Sequence, residues 1–275
     1  MTQKAILITG CSSGIGLSSA RVMKSRGWRV LATARKPDDL ARLRDEVGVE
    51  ALELELSDPT SVENCAKRAL ELTGGKLYAL FNNAAFGQLG AVEDLKSDIL
   101  RYQMEVNLIS THELTRLILP QMRKHNTGRI VQCSSVLGFV SGKFRGAYCA
   151  SKFALEALAD ALRLELRDTG IHVSLIEPGP IRTKFVATAL ATLKNNIDIE
   201  GSPYRDAYKA RLEALEKGGK QTFKLEPEAV ARKLVHAVES ARPKPRYFVT
   251  IPTYTADIAR RFLTTRLLDR FLAGS

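Results

Sequence analysis

Short apolar runs alternate along this chain with longer stretches of helical periodicity. Ala5-Ile6-Leu7-Ile8 is continuously apolar, as expected of a strand buried on both faces of a parallel sheet. Similar runs at 29–33, 52–56, 78–81, 130–133, 172–176 and 246–249 bring the predicted strands to seven. Helices are predicted at 17–26, from Asp58 as N-cap with Pro59 in the first position, at 98–124 with a break near Pro120, after Tyr148, and at 227–240. This βαβ order predicts one α/β domain built on a doubly wound, seven-stranded parallel sheet.

Two segments stand outside the alternation. From 184 to 225 strand character lapses, and Phe185, Val186, Leu190, Leu193, Tyr204, Tyr208 and Phe223 are scattered among charges. Short helices forming a lid over the end of the sheet are predicted there. Residues 254–272 are amphipathic, with Ile258, Phe262, Leu263, Leu267, Phe271 and Leu272 set against Arg260, Arg261, Arg266 and Arg270. One C-terminal helix is expected, which could pack over a pocket, meet a second subunit or lie on an anionic membrane.

Composition narrows the class. A chain of 275 residues with 45% hydrophobic and 26% charged residues suits a single globular domain with a sizeable core. No apolar stretch reaches the ~18 residues of a membrane span, and the first strand begins at Lys4, leaving no room for a signal peptide. A cytoplasmic protein is expected, with peripheral membrane contact left open by the tail. Cys11, Cys65, Cys133 and Cys149 have neither metal-ligand spacing nor a disulfide framework, so free thiols and no metal are expected. The formal net charge is +11, but the basic residues are dispersed and no nucleic-acid module is present. An anionic cofactor or an acidic membrane surface accounts for the excess at least as well as nucleic acid.

Candidate chemistry begins after the first strand. Thr9-Gly10-Cys11-Ser12-Ser13-Gly14-Ile15-Gly16 stands between strand and helix, where glycines admit a pyrophosphate to the helix N-terminus. The second strand ends in Ala34-Arg35 without an acidic residue. An Arg there suits a 2′-phosphate, as an acid would suit a free ribose hydroxyl, so NADP(H) is favoured over NAD(H). Tyr148 and Lys152 are one helical step apart and share a face. A cation ~5 Å away at an effective dielectric of ~20 would stabilise a phenolate by roughly 3 kcal/mol, about two pKa units.

The glycine turn and the Tyr-Lys step together resemble the short-chain dehydrogenase/reductase family. Asn82-Asn83-Ala84-Ala85 is similar to that family's NNAG motif with its final Gly replaced, and Glu177-Pro178-Gly179-Pro180-Ile181-Arg182-Thr183 to its PG motif. Ser135 stands 13 residues before Tyr148, the family's separation. The resemblance implies a Rossmann fold and carbonyl–alcohol interconversion. Tyr148 would be the proton donor, Ser135 would hold the substrate oxygen, and Lys152 would lower the Tyr pKa and bind the nicotinamide ribose. Asn107 would distort its helix and serve a water relay, although a buried amide could merely satisfy a carbonyl.

Cofactor contacts are implied at Gly10, Ser12, Ser13, Gly14, Ile15, Gly16, Arg35, Glu55, Leu56, Asn83, Ala84, Tyr148, Lys152, Pro178, Gly179, Ile181 and Thr183. Besides Ser135 and Tyr148, the loops offer Phe86, Phe139, Phe144 and Phe185 to substrate. The closest look is to bacterial aldehyde and alcohol reductases and to hydroxysteroid and retinol dehydrogenases. That likeness implies a lipophilic aldehyde or ketone and a homo-oligomer. The competing expectations are a 3-oxoacyl-type ketoreductase and a cofactor-binding sensor without turnover.

Overall fold

The computed structural model of the chain describes residues 3–216 and 222–273. Its parallel strands, β1 Ala5–Ile8, β2 Arg29–Ala34, β3 Glu50–Glu53, β4 Leu77–Asn82, β5 Gly128–Cys133, β6 Ile171–Glu177 and β7 Arg246–Phe248, form one sheet ordered β3-β2-β1-β4-β5-β6-β7. The helices are α1 Gly14–Ser25, α2 Pro37–Arg42, α3 Pro59–Leu72, α4 Ser97–Met104, α5 Ser110–Lys124, α6 Gly146–Glu165, α7 Phe185–Asn196, α8 Arg205–Glu216, α9 Glu228–Glu239, α10 Ile251–Phe262 and α11 Thr265–Ala273.

The pleat sends Ile6 and Ile8 to one face and Leu7 to the other, so both faces need a cover. Met23 of α1 and Val230 and Leu234 of α9 pack on the first. Val62, Leu114 and Ile118 of α3 and α5 pack on the second. Leu80 and Ile130 are wholly buried, each contributing about 1.5–3 kcal/mol by leaving water. Strand order reverses between β1 and β4, which opens a crevice at the carboxyl ends of the central strands.

Four local expectations change. The third strand is Glu50–Glu53, not 52–56. It pairs with β2 alone, and beyond Leu54 the chain turns away as the Glu55 N–H donates to Ser61 Oγ at 2.9 Å. Pro120 does not break α5, because it lies on the exposed side while Ile118 and Met122 anchor the buried side. A π-helical turn, Glu105–Ile109, separates α4 from α5. The tail is two helices, divided where Leu263 takes an extended backbone. The predicted cap of α3 is present, with Thr60 N–H donating to Asp58 Oδ1 at 2.9 Å.

The lid carries its own small core. Leu193, Ile197 and Tyr208 pack against Leu89 and Ala91, and the Tyr208 hydroxyl donates to Asp94 at 2.6 Å. Residues 217–221 of the predicted lid lie outside the described residues. Among the described residues, no helix is long and apolar enough to cross a membrane.

Candidate active site

The crevice begins at the glycine turn. The Gly10 N–H donates to Thr33 Oγ1 at 3.2 Å and the Cys11 N–H to Thr33 O at 2.7 Å, anchoring the turn on β2. Gly14 has φ +55°, and a Cβ there would press on the Thr183 side chain. Gly16 has no space for a Cβ because the Gly10 carbonyl occupies it. No acidic residue lies in the first turn of α1, and the Ser13 hydroxyl makes no capping bond. The first N–H groups of α1, including that of Ile15, are therefore open to an anion, and the site fits a dinucleotide pyrophosphate.

Asn83 ties β4 to the glycine turn through its side chain. Its amide donates to Thr9 O at 2.9 Å, while Thr9 Oγ1 accepts from the N–H groups of Asn83 and Ala84, both at 2.9 Å. The side chain braces the glycine turn, leaving the backbone at Asn83 and Ala84 to pass the crevice. Asn82 ties β4 to α5 by donating to Thr115 Oγ1 at 2.9 Å. Ala85 avoids positive φ, so the missing Gly does not force strain.

At the adenosine end, Arg35 leaves β2 with its side chain 64% exposed and pairs with Glu55 at 3.3 Å. Glu55 also accepts from the Ser57 N–H at 3.0 Å and hydroxyl at 2.9 Å. Burial raises the Glu55 pKa, but Ser57 and Arg35 outweigh it and hold the carboxyl below its usual value. The neighbouring Leu56 carbonyl accepts from the Ser110 hydroxyl. Arg42 was not foreseen: its guanidinium donates to Ser12 O at 2.5 Å and Asp39 at 2.9 Å, adding positive charge beside the turn. Its place one helix beyond Arg35 was the available signal.

Ser135, Tyr148 and Lys152 converge at the end of β5. Tyr148 is 8% exposed. Burial pushes its phenol well above the ordinary tyrosine range, and the neighbouring Ser135 hydroxyl draws it partly back. Burial also pushes the Lys152 ammonium below its usual value, while Cys133 and Glu156 pull it up. Lys152 Nζ donates to Cys133 O at 2.7 Å and stands 5.8 Å from the Tyr148 ring centroid. The expected lowering of the phenol by Lys152 is thus corrected: burial dominates both groups, and the ammonium is aimed at a carbonyl.

Asn107 is buried within the π-helical turn. Its amide donates to Phe86 O at 2.9 Å and Ser151 Oγ at 3.1 Å, and its Oδ1 accepts from the Phe86 N–H at 3.1 Å. The expected helix distortion is present, but the side chain serves the Phe86 peptide. Gln103, not foreseen, braces the same loop by accepting from the Gln88 N–H at 2.7 Å.

The PG loop closes the crevice. Pro178 O accepts from the Val136 N–H at 2.9 Å, and Gly179 leaves room for Thr250. Ile181 pairs with Leu225 of the returning lid. Thr183 Oγ1 accepts from the Phe185 N–H at 3.2 Å and faces Gly14. Behind the loop lies a further unforeseen group. Arg246 binds Glu177 at 2.5 Å, Asp160 at 2.6 Å and Glu156. Ser134 faces Glu156. Burial, reinforced by Glu156, pushes the Glu177 carboxyl up to about 8. Lys152, Glu156 and Asp160 recur every four residues on α6, a spacing visible in the sequence.

The four phenylalanines separate. Phe185 sets its ring 5.4 Å from Tyr148, edge-on, and Phe139 belongs to the same apolar cluster. Phe144 instead packs in the lid core against Tyr204 and Tyr208. Phe86 packs against Tyr102. Most apolar lid residues therefore dock the lid, and the apolar cluster that packs with Tyr148 includes Leu137, Phe139, Val140 and Phe185.

A family model described as short chain dehydrogenase matches residues 4–194. The chain is 44% identical to the uncharacterized oxidoreductase YbbO of Escherichia coli strain K12, covering 99% of this chain and 95% of that one. It is 33% identical to human 17-beta-hydroxysteroid dehydrogenase type 1, covering 91% and 78%. It is 31% identical to the NADPH-dependent 3-dehydrocapnine reductase of Ornithobacterium rhinotracheale, covering 96% and 94%. A short-chain dehydrogenase from Streptomyces avermitilis superposes with a TM-score of 0.79 at 27% identity, covering 100% and 99%. One from Burkholderia phymatum in complex with NAD gives 0.78 at 26%, covering 93% and 92%. With the glycine turn, the Ser-Tyr-Lys convergence and the sheet order in place, this chain belongs to the short-chain dehydrogenase/reductase family and is an oxidoreductase of carbonyl and alcohol groups.

Proposed function

We propose that the protein is an NADP(H)-dependent oxidoreductase of lipophilic aldehydes or ketones, with Tyr148 as its proton donor. The observation that carries this reading is the convergence of Ser135, Tyr148 and Lys152 at the end of β5, with the phenol ring packed in an apolar cluster. A bound nicotinamide dinucleotide supplies the hydride in reduction and accepts it in oxidation. In reduction, Ser135 donates a hydrogen bond to the substrate carbonyl oxygen and orients it. Tyr148, kept protonated near neutral pH by its burial, gives that oxygen its proton. Lys152 spends one N–H on Cys133 and has two left for a ribose hydroxyl and the proton path. With the Asn107 side chain committed to Phe86, its share in a water relay falls to the main-chain carbonyl, which the widened π-helical turn loosens.

Arg35 supports NADP(H). Its ion pair with Glu55 is half in solvent and of the kind worth only ~0–1 kcal/mol, so a 2′-phosphate can compete for the guanidinium. The NADPH named for the Ornithobacterium relative supports the same choice, while the Burkholderia structure holds NAD. The lipophilic substrate is supported by the apolar surroundings of Tyr148, where Leu137, Phe139, Val140 and Phe185 gather. The test follows NADPH absorbance against long-chain aldehydes, retinoids, steroids and 3-oxoacyl thioesters, with NADH as control. Fastest turnover is expected on the lipophilic carbonyls with NADPH; preference for NADH, or for 3-oxoacyl thioesters, would overturn the corresponding part of the reading.

A further inference from the structure

The two C-terminal helices carry their large apolar side chains outward. On α10 the inward positions hold small residues, Thr253, Ala256 and Ala259, all buried. The outward row is Ile251, Tyr254, Ile258 and Phe262, with Ile251 60% and Phe262 80% exposed. That spacing of three, four and four residues is one continuous helical stripe. On α11 no residue is buried; Leu272 reaches the cluster around Tyr148, while Leu267 and Phe271 face solvent. A stripe of this size on an isolated monomer marks an interaction surface.

The charges beside the stripe identify the partner. Arg266 and Arg270 flank Leu267 one helical step apart, and among the described residues neither has an ion-pair partner. Arg261 borders the α10 stripe beside Asp257, its ion-pair partner at 3.1 Å. A second copy presenting the same two helices would bring four arginines, Arg260, Arg261, Arg266 and Arg270, with only two acids, Asp257 and Asp269, so like charges would prevail across the contact. An anionic lipid surface accepts the apolar stripe and the arginines together. We propose that α10 and α11 dock the protein on anionic membranes, with the stripe among the acyl chains and Arg266 and Arg270 at the headgroups. This goes beyond the reaction assigned above and does not depend on it. It would set the apolar cluster around Tyr148, which Leu272 touches, beside the bilayer.

The test is co-sedimentation of the full chain with phosphatidylglycerol-rich and with pure phosphatidylcholine vesicles, alongside its oligomeric mass by light scattering. Two variants are compared: Phe262→Ser with Phe271→Ser, and Arg266→Gln with Arg270→Gln. Binding to the anionic vesicles, reduced on the order of tenfold by either variant and by high salt, is the expected result. Unchanged thermal midpoints would show that the variants act on docking and not on folding. The proposal is overturned by absence of binding to anionic vesicles or by equal binding of the variants. It is also overturned if the Phe262/Phe271 variant breaks an oligomer into smaller species while vesicle binding persists, which would make a second copy the occupant.

Discussion

Lys152 Nζ and the Cys133 carbonyl, 2.7 Å apart, pin helix α6 to the end of β5. Tyr148 lies one helical turn before the lysine and Ser135 two residues beyond the cysteine, so this bond fixes how phenol and hydroxyl face each other. Replacing Lys152 with Met removes the bond and the charge. Catalytic efficiency is expected to fall by about 10²–10⁴-fold, the usual share of a positioned proton-transfer group. Stability should change little, because losing a buried ammonium offsets the orphaned carbonyl; a net ~1 kcal/mol moves the thermal midpoint by about 2–4 °C. Steady-state kinetics and calorimetry on one preparation check both halves.

Tyr148→Phe keeps the ring against Phe185 and deletes only the hydroxyl. Turnover should be lost while NADPH still binds with near-normal affinity, as read by fluorescence titration. Burial keeps the phenol protonated, so carbonyl reduction by the native protein should vary little across neutral pH. Alcohol oxidation, which needs the phenolate, should climb as pH rises. Near-normal turnover in the Phe variant would sink the proton-donor role.

Arg35→Ser addresses the cofactor. A charge-assisted contact to phosphate is worth about 1.5–3 kcal/mol, so the NADPH KM should rise about 10–100-fold with NADH almost unaffected. Parallel loss with both cofactors would assign Arg35 to the fold of the β2 terminus instead.

The acid cluster behind the PG loop predicts a pH dependence of stability. The folded-state pKa of Glu177 is raised to about 8, so the folded state holds a proton that the unfolded chain releases near the ordinary glutamate value. Its contribution is therefore complete at acid pH and is lost as pH rises through about 8. The groups around it are Glu156, Arg246 and Asp257, with Asp160 on the far side of the arginine. The native protein should lose thermal midpoint between weakly acidic and weakly alkaline buffers, and Glu177→Gln should flatten that decline. An equal slope in both proteins would place the titration elsewhere.

What the sequence disclosed follows from how local each signal is. The continuous run at 5–8, the glycine turn and the Asp58-Pro59 start are fixed by neighbours in the chain, and all appear where periodicity and turn chemistry put them. β3 shifted because Leu52, Leu54 and Leu56 alternate like a strand, while its true pairing with β2 begins at Glu50. Tyr148 and Lys152 were legible as a pair because one helical step joins them, and Ser135 joined them only through the family resemblance. The side-chain partners of Asn83 and Asn107 were not legible, since each depends on which distant peptide the amide meets: Thr9 for one and Phe86 for the other. The Arg246 cluster joins residues from α6, β6 and β7, contacts that no local pattern encodes.

The π-helical turn at 105–109 also carries a constraint of length. Such a turn is one residue inserted into a regular helix, and each residue rotates the chain by about 100°. Excising any single residue there would let α4 and α5 fuse into an uninterrupted helix, favourable for the backbone alone. With α5 held by Leu114 and Ile118, the excision would swing Gln103 away from the loop at 86–88. The segment should therefore accept substitution far more readily than deletion, and its residue count is as much a part of the site as its side chains.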